Sequence, residues 1–250
     1  ARWLTFDEVS SGEDFGDKNA LGFHIPGMWS KILDLKECCL QEDPSNALRL
    51  AVKSYAVKNG LEFFDVKAQT GFLRTMMLRQ NSAGEWMVLF QLFREEKENR
   101  TQLFDFLLSE FPQIKTLLFC INSKQNDSIY DQDVQTYYGE GFLMEEMDGL
   151  KFKIGPKSFF QTNYKQALEL YRKTLEFADL KGDEVVYDLY TGTGTIAQYV
   201  ARNAKQVIGI ESVPEAIDAA KEHAALNGLT NTTFYCGDMK NVFNDEFLEN

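Results

Sequence analysis

The sequence predicts an α/β protein in two parts, in which an α+β domain precedes a parallel sheet built from βαβ units. After Thr162, strand-like apolar runs alternate with helical patterns of about ten or more residues, the order that right-handed crossover connections require. Before about residue 155, short apolar runs follow one another through hairpin-length links, which favours an α+β domain with a mostly antiparallel sheet. We therefore place one domain at residues 1–155 and a second at residues 156–250.

The first part combines predicted strands with two amphipathic helices. Turn-rich stretches such as SSGEDFGDKN and IPGMWS interrupt short apolar runs up to about residue 41 and indicate strands and hairpins. Residues 44–60 have Pro at the front, Gly at the end and apolar residues at helical spacing, so they predict a helix. Strands are then predicted at EFFDVKAQ, FLRTMMLRQ and EWMVLFQLF, a helix at TQLFDFLLSEF, a strand at TLLFCIN, and more strands within VQTYYGEGFLMEEMDGLKFKIG.

The second part has a regular order of helices and strands. A long helix at NYKQALELYRKTLEFADL is followed by strand EVVYDLY, helix TIAQYVARNA, strand QVIGIE, helix PEAIDAAKEHAALNG and strand TTFYCGD. The helix at 213–227 has apolar residues at core spacing and is expected to serve packing alone. The two histidines, His24 and His223, are expected at the surface or in local hydrogen bonds.

Composition limits the function classes. The chain has no apolar run of the length that spans a membrane and no secretory leader pattern, so we expect a cytoplasmic protein. Four cysteines and two histidines without zinc-like spacing predict reduced thiols and no metal site. The net charge of −12 argues against a large basic surface for nucleic acid, although it permits a local basic groove.

Residues 188–197, DLYTGTGTIA, place two glycines on a tight turn between a strand and a helix. Such a turn lets backbone N–H groups approach a ligand without an intervening Cβ. The stretch satisfies the G-x-G-x-x-G/A pattern of dinucleotide-binding turns, and Glu211 ends the next strand, near the position of the acid that binds a ribose. A nicotinamide cofactor is therefore one interpretation.

S-adenosylmethionine is the other cofactor that fits this turn. Asp188, Glu211 and Asp238 fall at the carboxyl ends of three successive predicted parallel strands, the edge at which open α/β sheets bind ligands. A carboxylate at Asp188 suits a cationic sulfonium and would repel a pyrophosphate. The three acids favour the sulfonium ligand over the dinucleotide.

Three longer stretches carry a resemblance to a known family. FKIGPKSFFQTNYKQALELY, VVYDLYTGTGTIA and VIGIESVPEAIDAAKEHAALNGLTNTTFYCGD resemble the RNA uracil-5-methyltransferases, which make 5-methyluridine in ribosomal or transfer RNA. The resemblance runs from about Phe152 to Asp238, and ALGFHIPGMWSKILDLKECCLQ is similar to the strand pair that opens the family's catalytic chain. It implies a Rossmann-like methyltransferase sheet, cut short in this sequence, with S-adenosylmethionine as cofactor and RNA as partner.

The resemblance also assigns roles to matching positions. Gln161, Tyr190, Glu211 and Asp238 fall on the family's S-adenosylmethionine contacts, and two glycines form the turn. The sequence departs from the family at Thr191, where many relatives carry Cys, and at Thr195, where several carry Asn. The candidate cofactor residues are therefore Gln161, Asp188, Tyr190, Gly192, Gly194, Thr195, Glu211 and Asp238.

The family's reaction uses a cysteine thiolate that adds to carbon 6 of uracil and a general base that later removes the carbon 5 proton. In relatives both residues follow the third strand, so they are expected beyond Asn250, and the 250-residue chain alone is expected to be inactive. None of its cysteines suits the nucleophile's role: Cys38, Cys39, Cys120 and Cys236.

Some relatives hold an iron–sulfur cluster, in which the Cys in the position of Cys38 joins three others upstream of Ala1. Cys38 and Cys39 alone cannot hold such a cluster.

Two other functions remain open: a non-catalytic RNA-binding module on a degenerate methyltransferase fold, and a nicotinamide-dependent oxidoreductase.

Overall fold

The computed structural model describes residue 10 and residues 19–242, which form two compact units. Among the described residues, the first contains residues 19–78 and 86–141, and the second contains residues 79–85 and 142–242. The short segment 79–85 belongs to the second unit because Asn81 donates a hydrogen bond to the Met144 carbonyl and the Ser82 N–H donates to the Glu145 carboxylate. Our boundary at residues 155/156 would instead leave Met144 and Glu145 in the first domain.

The first unit contains six strands and two helices among its described residues. Strands β1 (Gly22–Ile25) and β2 (Met28–Asp34) form an antiparallel hairpin. The remaining elements are α1 (Ser45–Lys58), β3 (Leu73–Gln80), β4 (Trp86–Leu92), α2 (Lys97–Glu110), β5 (Ile114–Ile121) and β6 (Gln135–Tyr138). Strands β3 to β6 form one sheet in that order, although β3 ends two residues inside the segment assigned to the second unit. Both predicted helices are confirmed.

Strand β4 is buried along its whole length, and helix α2 connects it to β5. Because the 14-residue helix returns the chain to the same end of the sheet, β4 and β5 pair in parallel. The expectation of a mostly antiparallel sheet is therefore wrong at this central pair, whereas β5 and β6 are antiparallel. Phe104 of α2 packs against Phe90 and Phe119 in the core.

The strand predicted at EFFDVKAQ does not form. Only isolated bridges join Phe63 to Leu73 and Asp65 to Thr70. The Asp65 carboxylate accepts hydrogen bonds from the N–H groups of Lys67 and Ala68, which turns the chain at this point. A side chain that binds its own backbone competes with strand pairing, and the apolar pattern does not reveal this competition.

The second unit consists of a hairpin, a long helix and a βαβαβ segment. Strands β7 (Leu143–Met147) and β8 (Leu150–Ile154) form the antiparallel hairpin. The other elements are α3 (Tyr164–Ala178), β9 (Val185–Leu189), α4 (Thr195–Ala201), β10 (Gln206–Glu211), α5 (Pro214–Leu226), β11 (Thr232–Cys236) and the short α6 (Met239–Val242). The predicted alternation of helices and strands is confirmed.

The parallel sheet has the order β11-β10-β9 within the described residues. Helices α4 and α5 pack on one face of it, where Ala197, Ala220 and Phe234 are buried together. The strand register places Asp188 opposite Gly209, and Glu211 opposite Cys236. Two carboxylates are thereby brought near the same end of the sheet. In the described part of the chain, no helix is long and apolar enough to cross a membrane.

Candidate functional site

The turn between β9 and α4 holds three residues with positive φ: Tyr190 at 63°, Gly192 at 55° and Gly194 at 76°. At Gly194 an added Cβ would lie 2.9 Å from the Cβ of Ala220, so glycine is required by packing as well as by backbone conformation. At Gly192 an added Cβ would meet no atom within 4 Å. The backbone at Gly192 therefore faces open space, the condition for close approach of a ligand.

Tyr190 has a left-handed backbone that bulky residues rarely adopt. The chain holds it there because the next residue, Thr191, is fixed twice: its N–H donates to the Ile210 carbonyl and its hydroxyl to Asp188. The Tyr190 side chain is 71% exposed. A strained residue with an exposed aromatic ring beside the open turn is typical of a ligand contact.

Asp188 lies at the carboxyl end of β9, where its part-buried carboxylate contacts the turn. It is the penultimate residue of β9, and its Oδ2 accepts hydrogen bonds from the Thr191 hydroxyl at 2.7 Å and the Ala197 N–H at 3.0 Å. Burial raises the pKa of the Asp188 carboxyl group, and the bonds from Thr191 and Ala197 oppose that rise. In this structure the carboxylate fixes the turn to the start of α4.

Glu211 contacts the turn directly. Its Oε2 accepts from the Gly192 N–H at 3.2 Å, while Oε1 accepts from the N–H groups of Ser212 and Val213 and from the Ser212 hydroxyl. Desolvation would raise the pKa of this carboxyl group, but the hydrogen bonds from Val213, Ser212 and Gly192 outweigh it, and the pKa is lowered. Glu211 is therefore held ionised beside the glycine turn.

Asp238 lies between β11 and the short helix α6. Its backbone carbonyl accepts from the N–H groups of Asn241 and Val242, and its side chain accepts from the Lys240 N–H. The neighbouring Gly237 N–H donates to the Glu211 carbonyl at 2.8 Å, which holds the ends of β10 and β11 together. Glu211 is the last residue of β10 and Asp238 lies two residues after the end of β11, so both acids lie at the carboxyl ends of adjacent strands.

Two predicted cofactor residues remain, Thr195 and Gln161. The Thr195 hydroxyl lies 3.4 Å from the hydroxyl of Thr193, which is a residue of the turn. Gln161 is exposed on the segment between β8 and α3. Among the described residues, no hydrogen bond joins Gln161 to the residues of the turn.

Comparison with known proteins gives the family. A family model described as a methyltransferase domain matches residues 180–249. The chain is 50% identical over 253 aligned positions to an uncharacterized RNA methyltransferase of Porphyromonas gingivalis, and 49% identical over 250 positions to one of Bacteroides thetaiotaomicron. Each alignment covers 99% of this chain. The chain belongs to the RNA methyltransferases.

These RNA methyltransferases are longer than the chain, which spans 54% and 55% of the two bacterial relatives. A solved structure with the same fold is the tRNA (uracil-54, C5)-methyltransferase of Pyrococcus abyssi, determined in complex with S-adenosyl-L-homocysteine. The chain is 29% identical to it with a TM-score of 0.74, over 88% of this chain and 53% of that chain. The predicted Rossmann-like methyltransferase fold is confirmed.

His223 is the residue that sequence reasoning missed. It is 2% exposed, and its ring contacts Thr193 on the turn and Lys153 on β8, far away in sequence. The expectation of a surface position or a local hydrogen bond is wrong. A polar residue at position 223, beside the apolar stripe of α5, was the one available signal, but the pattern does not identify partners 30 and 70 residues away.

The described residues contain no group of three or more His, Cys, Asp or Glu side chains that could hold a metal ion.

Proposed function

We propose that this chain forms the cofactor-binding part of an RNA methyltransferase that transfers a methyl group from S-adenosylmethionine to carbon 5 of a uridine. The observation that carries the proposal is the similarity to the Pyrococcus abyssi enzyme, whose structure contains S-adenosyl-L-homocysteine. The glycine turn and the adjacent strand-end carboxylates supply groups of the right chemistry for that cofactor. Ribosomal or transfer RNA is the proposed substrate.

Glu211 is the proposed ribose ligand, and its two oxygens are not equivalent. Oε1 already accepts three hydrogen bonds, whereas Oε2 accepts one, from Gly192 at 3.2 Å. A carboxylate oxygen has two lone-pair sites, so Oε2 retains the capacity for a further donor. A ribose hydroxyl bound there would lie against the open side of Gly192, where an added Cβ meets nothing within 4 Å.

The other predicted residues complete this proposed site. The exposed Tyr190 ring offers a flat apolar surface to the cofactor, and Asp238 offers an acceptor for the adenine amino group. Asp188 is proposed to lie near the sulfonium, and its Oδ2 acts through the turn by binding Thr191 and Ala197. Gln161 would approach from the segment that follows β8.

S-adenosylmethionine supplies an electrophilic methyl group when it is bound. In this proposal Glu211 and the open side of Gly192 hold the cofactor, while the hydrogen bonds to Asp188 fix the conformation of the turn. The cysteine nucleophile and the general base remain predictions, and the proposed reaction is that of a protein of the relatives' length, of which this chain spans about half. Uridine must also leave its RNA structure to reach such a pocket.

Binding of S-adenosylhomocysteine tests the cofactor site. By isothermal titration calorimetry of the intact protein, Glu211→Gln should weaken binding by about 1–3 kcal/mol, because ribose hydroxyls lose a charged acceptor. Asp218→Asn is the matched control, since Asp218 is an exposed acid on the outer side of α5. Equal affinities in the wild-type protein and Glu211→Gln would show that the ribose lies elsewhere.

The position of methylation is tested with RNA that carries tritium at carbon 5 of uridine. Transfer to carbon 5 displaces that hydrogen, so tritium should appear in water in step with methyl incorporation when the intact protein and S-adenosylmethionine are present. Methyl incorporation without tritium release would place the reaction at another atom. RNA binding with neither signal would favour the non-catalytic module.

A further inference from the structure

His223 of helix α5 and Asn227, the residue that follows this helix, bind the edge of β8 that does not pair with β7. Strand β8 pairs with β7 on one side. On the other side, the Asn227 amide accepts from the Lys151 N–H at 2.7 Å and donates to the Lys151 carbonyl at 2.9 Å. One helical turn earlier, His223 Nε2 lies 3.0 Å from the Lys153 nitrogen and 3.1 Å from the Lys153 oxygen. Residues four apart on a helix rise about 6 Å, close to the spacing of residues two apart on a strand.

His223 differs from Asn227 because its ring also contacts the glycine turn. Nδ1 lies 3.1 Å from the Thr193 carbonyl oxygen. That oxygen can only accept, so Nδ1 carries a proton and donates it. In this tautomer Nε2 carries no proton and accepts from the Lys153 N–H at 3.0 Å.

The glycine turn needs the hydrogen bond from His223 because few side-chain atoms hinder the rotation of its peptide planes. Thr193 stands between Gly192 and Gly194, and glycine permits rotation of adjacent peptide planes at little cost. The bond from His223 fixes the carbonyl side of the Thr193–Gly194 peptide, while the Gly194 N–H donates to the Thr191 carbonyl. Without the imidazole, a part-buried carbonyl loses its donor and the peptide can turn its oxygen toward the ligand.

His223 also connects the two segments that carry the proposed cofactor residues. Strand β8 runs directly into residues 155–161, which fold back where Ser158 Oγ accepts from the Gly155 N–H. That segment ends at Gln161. The ring of Phe152 on β8 packs edge-on against the His223 ring at 5.6 Å and contacts Phe160 at 6.0 Å. A single buried side chain therefore joins the turn to the strand that leads to Gln161.

We infer that His223 is a positioning residue for the cofactor, which sets the Thr193 peptide of the glycine turn and fixes that turn to β8. The inference rests on the proposed cofactor site. Asn227 provides the matched comparison, because it binds the same edge of β8 and turns its amide to Gln198 rather than to the turn.

The test compares His223→Ala, His223→Gln and Asn227→Ala in the intact protein. Calorimetry with S-adenosylhomocysteine should show binding weakened about tenfold in His223→Ala, as expected for loss of a hydrogen bond that orders the site. Asn227→Ala should change affinity less than about twofold at a similar loss of thermal stability. His223→Gln should recover most of the affinity, since its amide has an acceptor and a donor at similar spacing.

Hydrogen exchange without cofactor provides the second readout. The Gly194 amide should exchange faster in His223→Ala and as in the wild-type protein in Asn227→Ala. Unchanged affinity and exchange in His223→Ala, or an equal loss of affinity in Asn227→Ala, would overturn the inference. Failure of the wild-type protein to bind S-adenosylhomocysteine would overturn the proposed cofactor site and the cofactor role of His223 together. If His223→Ala does not fold, His223→Gln takes its place in the test. Lost binding in His223→Gln together with a normal Gly194 exchange rate would then contradict the inference.

Discussion

Gly194→Ala tests whether the turn of the second unit is as tightly packed as the structure shows. Gly194 has a φ of 76°, which costs an L-residue about 1–2 kcal/mol. Its new methyl group would lie 2.9 Å from Ala220 Cβ and 3.1 Å from two ring carbons of Phe234. Forcing one methyl group into a packed core costs about 1–3 kcal/mol more. The free energy of unfolding of this unit should therefore fall by about 2–5 kcal/mol.

Gly228→Ala is the control for backbone strain alone. Gly228 has a φ of 65°, but an added Cβ there meets no atom within 4 Å, so only about 1–2 kcal/mol should be lost. The difference between the two variants isolates the contact with Ala220 and Phe234.

Urea unfolding should be followed by hydrogen exchange of the β10 amides, because Trp29 and Trp86, the tryptophans in the described residues, both lie in the first unit. Exchange at β10 reports the unfolding of the parallel sheet itself. Equal destabilisation in Gly194→Ala and Gly228→Ala would refute the packing described for the turn.

Two further predictions concern charged side chains. The folded-state pKa of Asp188 is raised above its ordinary value of 3.8, so the folded protein binds this proton more tightly than the unfolded chain, and stability should fall as the pH rises from 3.8 through the raised pKa. Asp188→Asn should remove that fall in acid unfolding curves, and identical curves would contradict the effect of burial. Arg74 is 2% exposed at its side chain and donates to the carbonyls of Asn122 and Lys124 and to Asp127. Arg74→Lys loses this fork of donors, which should cost about 3 kcal/mol and speed hydrogen exchange at residues 122–127; unchanged exchange there would show that the loop is held by other contacts.

The sequence by itself determined the order of elements in the second unit and the place of the glycine turn. Apolar periodicity and the turn residues are local properties, and they predicted the strands and helices from Tyr164 to Cys236 as the structure has them. The position of Glu211 was also available, because the carboxyl ends of parallel strands lie at one edge of a sheet. These conclusions need only spacing along the chain.

Tertiary structure decided how the side chains are used. The pattern placed Asp188 at a strand end, but the contacts with Thr191 and Ala197 direct its Oδ2 toward the turn. The expected antiparallel sheet contains a parallel pair because α2 returns the chain between β4 and β5. His223 could not be assigned from its neighbours in sequence. Its role depends on which backbone groups come within hydrogen-bonding distance after folding, and those groups lie 30 and 70 residues away.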